Sequence, residues 1–135
     1  MKRIFGTLLL AGILFTSVKA QKISAAKVPT EVQSACSKLY PGVKAKWEME
    51  KQDYEAGFTL NGKATSVVFN TKGLLLETET AIKPNELPAV ILAKFKGQKI
   101  AEAAKIIKAD GSVRYEAEVK GKDLLFDLSG NPVKP

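Results

Sequence analysis

The side chains best suited to chemistry in this sequence are carboxylates that alternate with apolar residues in several short segments. Carboxylates can bind cations, accept hydrogen bonds or act as general acids and bases. They take the phase opposite to the apolar residues, so strands in these segments would place them on one face of a sheet. The set consists of Glu48, Glu50, Glu55, Glu77, Glu79, Glu102, Glu116 and Glu118, and Lys44, Lys46 and Arg114 share its phase.

Composition excludes most other kinds of active site. The chain contains no histidine, which removes Ser-His-Asp and Cys-His nucleophile systems and most zinc sites. Glycines stand singly at predicted turns rather than in a phosphate-binding loop, and no acidic loop has the spacing of a calcium site. We therefore expect no catalytic residues, no metal and no cofactor, and a protein that is not an enzyme.

The carboxylate face has two interpretations. It could be a solvated sheet face that is balanced by opposite charges on neighbouring strands. It could instead recognise a basic or mixed-charge partner. Under the second interpretation the candidate partner-binding residues are Lys46, Glu48, Glu55, Glu77, Glu79, Arg114, Glu116 and Glu118.

A helix followed by antiparallel strands is predicted for the first half. Val28-Pro29 begins a helical pattern and Pro41-Gly42 ends it. Polar and apolar residues then alternate from Val43 to Glu50, as in a half-buried strand. A second strand from Tyr54 to Leu60 reaches Asn61-Gly62, a strong hairpin signal because both residues tolerate positive φ. Two further strands follow, one through Val67-Val68-Phe69 and one from Leu74 to Ala81.

The second half replays this order. Leu87-Pro88 begins a helix that stops at Gly97, and Tyr54-Glu55-Ala56 is matched by Tyr115-Glu116-Ala117 at a spacing of about 55 to 61 residues between the halves. We predict an α+β fold with two tandem helix-plus-antiparallel-strands repeats, about 28–82 and about 87–135. They share one continuous antiparallel sheet of about eight strands, with both helices on one face. The second-half strands are Ile100 to Ile107, Val113 to Val119 and Leu124 to Asp127.

Residues 1–20 have the pattern of a secretory signal peptide. Met1-Lys2-Arg3 precedes an apolar run from Ile4 to Phe15, and small residues lead to Ala20. We expect cleavage after Ala20, a periplasmic protein without stable membrane insertion, and a single domain over 21–135. Export also argues against a nucleic-acid partner. Removing the three basic residues of this segment lowers the formal charge from +7 to +4.

Several conspicuous side chains are predicted to be structural. Trp47, Tyr54, Phe58 and Tyr115 share the phase of aliphatic neighbours, which favours core packing beneath the helices over interface anchoring. Cys36 lies on the apolar face of the first helix, where we expect a buried small hydrophobe rather than a reactive thiol.

Turn and core residues form a pattern along the chain after Ala20: Val28-Pro29, Tyr40-Pro41-Gly42, Lys46-Trp47-Glu48, Tyr54-Glu55-Ala56, Phe58, Asn61-Gly62-Lys63, Val68-Phe69, Gly73 and Glu77-Thr78-Glu79. This pattern resembles that of the PepSY-like proteins, which are exported proteins frequent in Bacteroidota. The fold of that family resembles the β-lactamase inhibitory protein. The resemblance implies this fold and a non-enzymatic periplasmic protein that binds or inhibits another protein through its open sheet. It covers nearly all of the chain after Ala20, although the second half lacks a tryptophan and has a shorter helix.

Two functional hypotheses follow from the sequence. The first is a periplasmic interaction module that recognises a protein or peptide through the open sheet face, with the hairpin tips at Asn61-Gly62 and Gly121 as further contacts. The alternative is a small-ligand or ion-binding envelope protein with a pocket between the two repeats.

Overall fold

The computed structural model describes residues 21–135, so the predicted signal peptide lies outside the described residues. The described part of the chain contains two α-helices, α1 (Thr30–Leu39) and α2 (Ala89–Leu92), and α2 continues as a 3-10 turn over Ala93–Phe95. Within residues 21–135, no helix has the length and apolar character needed to cross a membrane. The strands are β1 (Gln21–Ile23), β2 (Lys46–Glu50), β3 (Asp53–Leu60), β4 (Lys63–Phe69), β5 (Leu75–Ile82), β6 (Glu102–Lys108), β7 (Val113–Val119) and β8 (Lys122–Asp127).

All eight strands form one antiparallel sheet in chain order, from β1 at one edge to β8 at the other. This confirms the predicted α+β fold with one continuous sheet. Seven strands correspond to predicted ones, with boundaries that differ by a few residues. β1 was missed because Gln21-Lys22-Ile23 is too short for alternation to stand out.

Proline and short turns define the helices and hairpins. Pro29 and Pro88 occupy the N-cap positions of α1 and α2, where the fixed φ of proline favours the start of a helix. Asn61 and Gly62 have φ values of 52° and 76°, as the two-residue turn between β3 and β4 requires. The hairpin prediction at this position is therefore confirmed.

The first core lies between α1 and the strands β2 to β4. Trp47 and Phe58 belong to it and are 8% and 4% exposed, so both are core residues as predicted. Cys36 is also buried there, and burial raises the pKa of its thiol. The cluster comprises Val28, Val32, Cys36, Trp47, Ala56, Phe58, Val67 and Phe69.

The second core lies beneath α2, and its sheet residues come from β6 to β8. Phe95 packs edge-on against Phe126, with ring centroids 5.7 Å apart. Thr78 on β5 lies opposite a residue of the first core, and Ile82 on the same strand lies opposite Ala103 of the second core. Thr78 and Ile82 point to the same side of β5, so both helices cover the same face of the sheet. The cluster comprises Leu87, Ile91, Phe95, Ala103, Ala117, Val119 and Phe126.

Gly73 gives a direct test of how the turn after β4 meets α1. Its φ is +82°, and an added Cβ would lie 2.6 Å from the backbone oxygen of Glu31. We expect Gly73→Ala to lower the free energy of unfolding by about 2 kcal/mol, because a left-handed alanine costs ~1 kcal/mol and the backbone must also shift. Urea denaturation measures this. Gly62→Ala is the control, since its φ is +76° with nothing within 4 Å; equal losses in the two variants would contradict the close contact.

Candidate partner-binding face

The strand register places the predicted partner-binding residues together on the sheet face opposite α1 and α2, which we call the acidic face. Side chains directly opposite in an antiparallel pair point to the same face. Glu48 pairs with Glu55, Val68 pairs with both Glu55 and Glu77, and Ser66 pairs with Glu79. Further along the sheet the face continues through Lys108, Ile106, Arg114, Glu116 and Glu118, while Lys46 lies opposite Gly57 at the other side.

Carboxylates on this face lie opposite other carboxylates. Glu48 faces Glu55, and Glu118 faces Glu102 on one side and Asp123 on the other. Balancing cross-strand pairs occur at Glu48, which lies opposite Lys22 on β1, and at Glu77, which lies opposite Lys108. The expectation was wrong for Glu55, Glu79 and Glu116, because the register places no cation opposite them. Lys46 faces Gly57, and Lys44 precedes β2.

Among the described residues, one salt bridge forms on this face. Lys108 Nζ lies 2.8 Å from Glu77 Oε1. Both side chains are partly exposed, at 40% and 28%, so the pair contributes about 0 to 1 kcal/mol. One such pair cannot offset the repulsion between directly opposed carboxylates.

Charge is strongly segregated between the two sides of the molecule. The acidic face carries ten of the 14 acidic residues in the chain, if Asp127 at the end of β8 is left out. It carries four of the 18 basic residues in the described range, namely Lys22, Lys46, Lys108 and Arg114. The remaining surface is therefore basic. The ten acidic residues are Glu48, Glu50, Asp53, Glu55, Glu77, Glu79, Glu102, Glu116, Glu118 and Asp123.

The carboxylates follow a diagonal across the sheet. From Glu55 on β3, the next position is Glu79 on β5, two strands across and two residues along. The same step leads from Glu79 to Glu116 on β7. With strands ~4.8 Å apart and ~3.4 Å per residue, each step is about 12 Å. Glu48 extends this line at its β2 end, and Glu118 and Asp123 extend it at its β8 end.

The three carboxylates at the centre of the diagonal are buried. Glu55, Glu79 and Glu116 are 8%, 8% and 6% exposed. Their cross-strand neighbours include apolar residues, Val68 for Glu55, Ile106 for Glu79 and Leu125 for Glu116. The expectation of a fully solvated face was wrong at these positions.

Burial and mutual repulsion raise the pKa of several of these groups. For Glu55, loss of solvent and then the charges of Glu48, Glu50 and Glu77 raise the pKa to about 8. For Glu116, burial followed by Asp123 raises the pKa to about 8. Burial also raises the pKa of Glu79 well above the usual range. These directions agree with the general rule that buried or adjacent carboxyls favour the neutral form.

Two carboxylate oxygens on the face are buried without a hydrogen-bond partner among the described residues. They are Glu48 Oε2 and Glu79 Oε1. A buried acceptor without a partner is costly, and each instance in a native structure calls for an explanation.

Sequence reasoning missed two acidic members of the face. Asp53 and Asp123 belong to it through their pairs with Glu50 and Glu118. Burial, followed by the charges of Glu118 and Glu102, raises the pKa of Asp123 to about 6. Alternation gave a usable signal, because Asp123 has the phase opposite to the core residue Phe126.

Comparison with solved structures identifies the architecture. A protein from Bacteroides eggerthii, described provisionally as periplasmic, has 23% sequence identity and a TM-score of 0.71; the match covers 79% of this chain and 86% of that one. A BLIP-like protein from Bacteroides fragilis has 26% identity and a TM-score of 0.63, with coverage of 78% and 83%. The fold is BLIP-like.

A DUF2874 family protein from Bacteroides uniformis also has a fold similar to that of this chain. It has 22% identity and a TM-score of 0.70, over 78% of this chain and 86% of that one. No family model matches the sequence, and no curated protein matches it. These likenesses support the fold implied by the resemblance to PepSY-like proteins.

Proposed function

We propose that this protein is a non-enzymatic periplasmic interaction module, inhibitor-like in its mode, that recognises a protein or peptide through the acidic face. The observation that carries this proposal is the line of carboxylates whose central members, Glu55, Glu79 and Glu116, are buried with no cation opposite them among the described residues. Such an arrangement destabilises the isolated fold. Natural proteins retain costly groups of this kind at functional sites.

Several finer assignments belong to the same proposal. Membership of the PepSY-like family, cleavage after Ala20 and tandem duplication would together describe an exported two-repeat protein. The two halves share details that support duplication. Asn70 Oδ1 accepts hydrogen bonds from the backbone of Lys72 and Leu74, and Asp127 Oδ1 accepts them from Ser129 and Asn131.

The glycines at the ends of these two turns behave alike as well. A Cβ at Gly73 would meet α1, at Glu31, and a Cβ at Gly130 would meet Val90 on α2. Each turn therefore packs on the helix of its own half. Glu55 and Glu116 occupy matching positions in the two halves, and both are buried with a pKa of about 8.

Charge reversal on the acidic face tests the proposal. Glu48→Lys with Glu118→Lys changes two half-buried positions at opposite parts of the line. We expect this double variant to lose at least tenfold in capture of a periplasmic partner, since like-charge contacts at an interface cost several kcal/mol. The measurement is quantitative pull-down from a periplasmic extract, with the captured protein identified by mass spectrometry.

A matched control is available on the rest of the surface. Glu31→Lys with Glu86→Lys makes the same change in net charge at exposed positions away from the acidic face, and it should capture the partner normally. If both double variants lose the partner, net charge rather than the acidic face is responsible. Capture of the same partner by all three proteins would refute the proposal.

A further inference from the structure

We propose that the partner of the acidic face is a lysine- or arginine-rich protein segment that lies along the carboxylate diagonal from Glu48 to Asp123. This inference rests on the proposed function and specifies the chemistry of the partner. The segment supplies the positive charges that the face lacks.

The cationic side chains on the acidic face do not pair with the carboxylates at the centre of the diagonal. Lys108 is held by Glu77 at 2.8 Å. Arg114 Nη1 donates a hydrogen bond to the backbone oxygen of Lys134 at 3.3 Å. Lys46 is exposed opposite Gly57, and Lys22 lies opposite Glu48 on the edge strand β1, at one end of the diagonal. The carboxylates of Glu55, Glu79 and Glu116 are therefore left without a cationic partner among residues 21–135.

A carboxylate oxygen without a hydrogen-bond partner lies at the middle of the diagonal. Glu79 is 8% exposed, and its Oε1 has no hydrogen-bond partner within the described chain. Its strand neighbours on this face, Ser66 and Ile106, bring no positive charge. An ammonium or guanidinium donor would satisfy this oxygen by a charge-assisted hydrogen bond, which is about twice as strong as a neutral one.

The spacing of the diagonal suits an extended chain. Steps of about 12 Å correspond to three or four residues at ~3.4 Å per residue. A peptide with a basic side chain at every third or fourth position would meet Glu55, Glu79 and Glu116 in turn. The basic surface elsewhere on the molecule would repel the same peptide, which confines binding to this face.

Binding should be linked to proton release. Glu55 faces Glu48 from β2 and Val68 from β4, with Glu50 and Glu77 nearby, and its pKa is about 8. Glu116 faces Ala104 and Leu125, with Asp123, Glu118, Glu77 and Glu102 acting on it, and its pKa is also about 8. A cationic partner favours the ionised carboxylates, so affinity should rise between pH 6 and pH 8.5.

The test uses the chain from Gln21 to Pro135 and a fluorescent 12-residue Gly/Ser peptide with lysine at every third position. A peptide with glutamate in place of lysine is its control. The variant carries Glu55→Gln, Glu79→Gln and Glu116→Gln, which keep side-chain shape while removing charge. The control protein carries Glu31→Gln, Glu86→Gln and Ser37→Lys, which make the same change in net charge at exposed positions away from the acidic face.

Fluorescence anisotropy should show that the wild-type protein binds the lysine peptide and does not bind the glutamate peptide. Affinity for the lysine peptide should fall at least tenfold in the face variant and stay unchanged in the control protein; a tenfold loss of affinity is ~1.4 kcal/mol. Affinity should fall with added salt, and calorimetry in buffers of different ionisation enthalpy should report proton release. If the face variant unfolds by circular dichroism, Glu48→Lys with Glu118→Lys replaces it, because these positions are half-buried.

Three results would overturn the inference. Equal binding to wild type and face variant would show general electrostatic attraction. Failure of the lysine peptide to bind while pull-down captures a partner through the acidic face would refute the basic segment and leave the proposed function standing. Failure of both experiments would refute both.

Discussion

Replacing Trp47 with alanine is expected to lower the free energy of unfolding by about 3 to 5 kcal/mol, the range for truncating a large aromatic residue in a core. Trp47 is 8% exposed and belongs to the cluster beneath α1. Its cross-strand neighbours are Ile23 on β1 and Ala56 on β3. Loss of the indole therefore leaves a cavity where the edge strand meets the sheet. Chemical denaturation measures the effect.

Leu74→Ala is the control for this prediction, because Leu74 is 61% exposed and its truncation should change stability by less than about 0.5 kcal/mol. Partner capture provides a second readout. A Trp47→Ala protein that unfolds with wild-type stability but no longer binds its partner would show that Trp47 is an interface anchor.

Raising the pH from 5 to 8.5 is expected to destabilise the protein by on the order of 3 kcal/mol. Glu55 and Glu116 have a pKa of about 8 in the folded protein against 4.5 as the reference. Between these values the native state binds more protons than the unfolded state, so stability falls as pH rises. Each unit of difference corresponds to ~1.4 kcal/mol, and water penetration reduces the full value.

Urea denaturation at the two pH values measures this effect. Glu55→Gln removes one of the groups, so it should raise stability at pH 8.5 by about 1 to 2 kcal/mol and leave stability at pH 5 nearly unchanged. Glu31→Gln, at an exposed position on α1, should do neither. Wild-type stability that increases from pH 5 to pH 8.5 would contradict the buried, mutually repelling carboxyls.

A protein tuned only for stability would not keep this cluster. Replacing one member of each opposed pair by a polar neutral residue would relieve repulsion without changing the fold. The expected gain from Glu55→Gln at pH 8.5 and the expected loss of peptide binding when the central carboxylates are neutralised are therefore two consequences of one arrangement. Such a trade between stability and function is common at binding sites.

Local patterns in the sequence determined most of the fold. The prolines before α1 and α2, the turn residues Asn61-Gly62 and the alternation along β3 and β7 depend on interactions within a few residues, which can be recognised without the tertiary structure. The same alternation predicted that Glu48, Glu55 and Glu116 share the face opposite the core. β1 was not predicted, because a segment of three residues forms a strand only when β2 is there to pair with it.

The tertiary structure decided which charges meet. Strand phase predicts the face of a side chain, but the cross-strand neighbour depends on register, which long-range packing and the bulge between Val68 and Phe69 set. Register places Glu48 against Glu55 and Glu118 against Asp123, and it aligns Glu55, Glu79 and Glu116 on one diagonal. Burial of these three carboxylates likewise depends on neighbours from other strands. For that physical reason, the sequence alone left open whether the charges on this face balance one another, and the tertiary structure shows a predominantly acidic face.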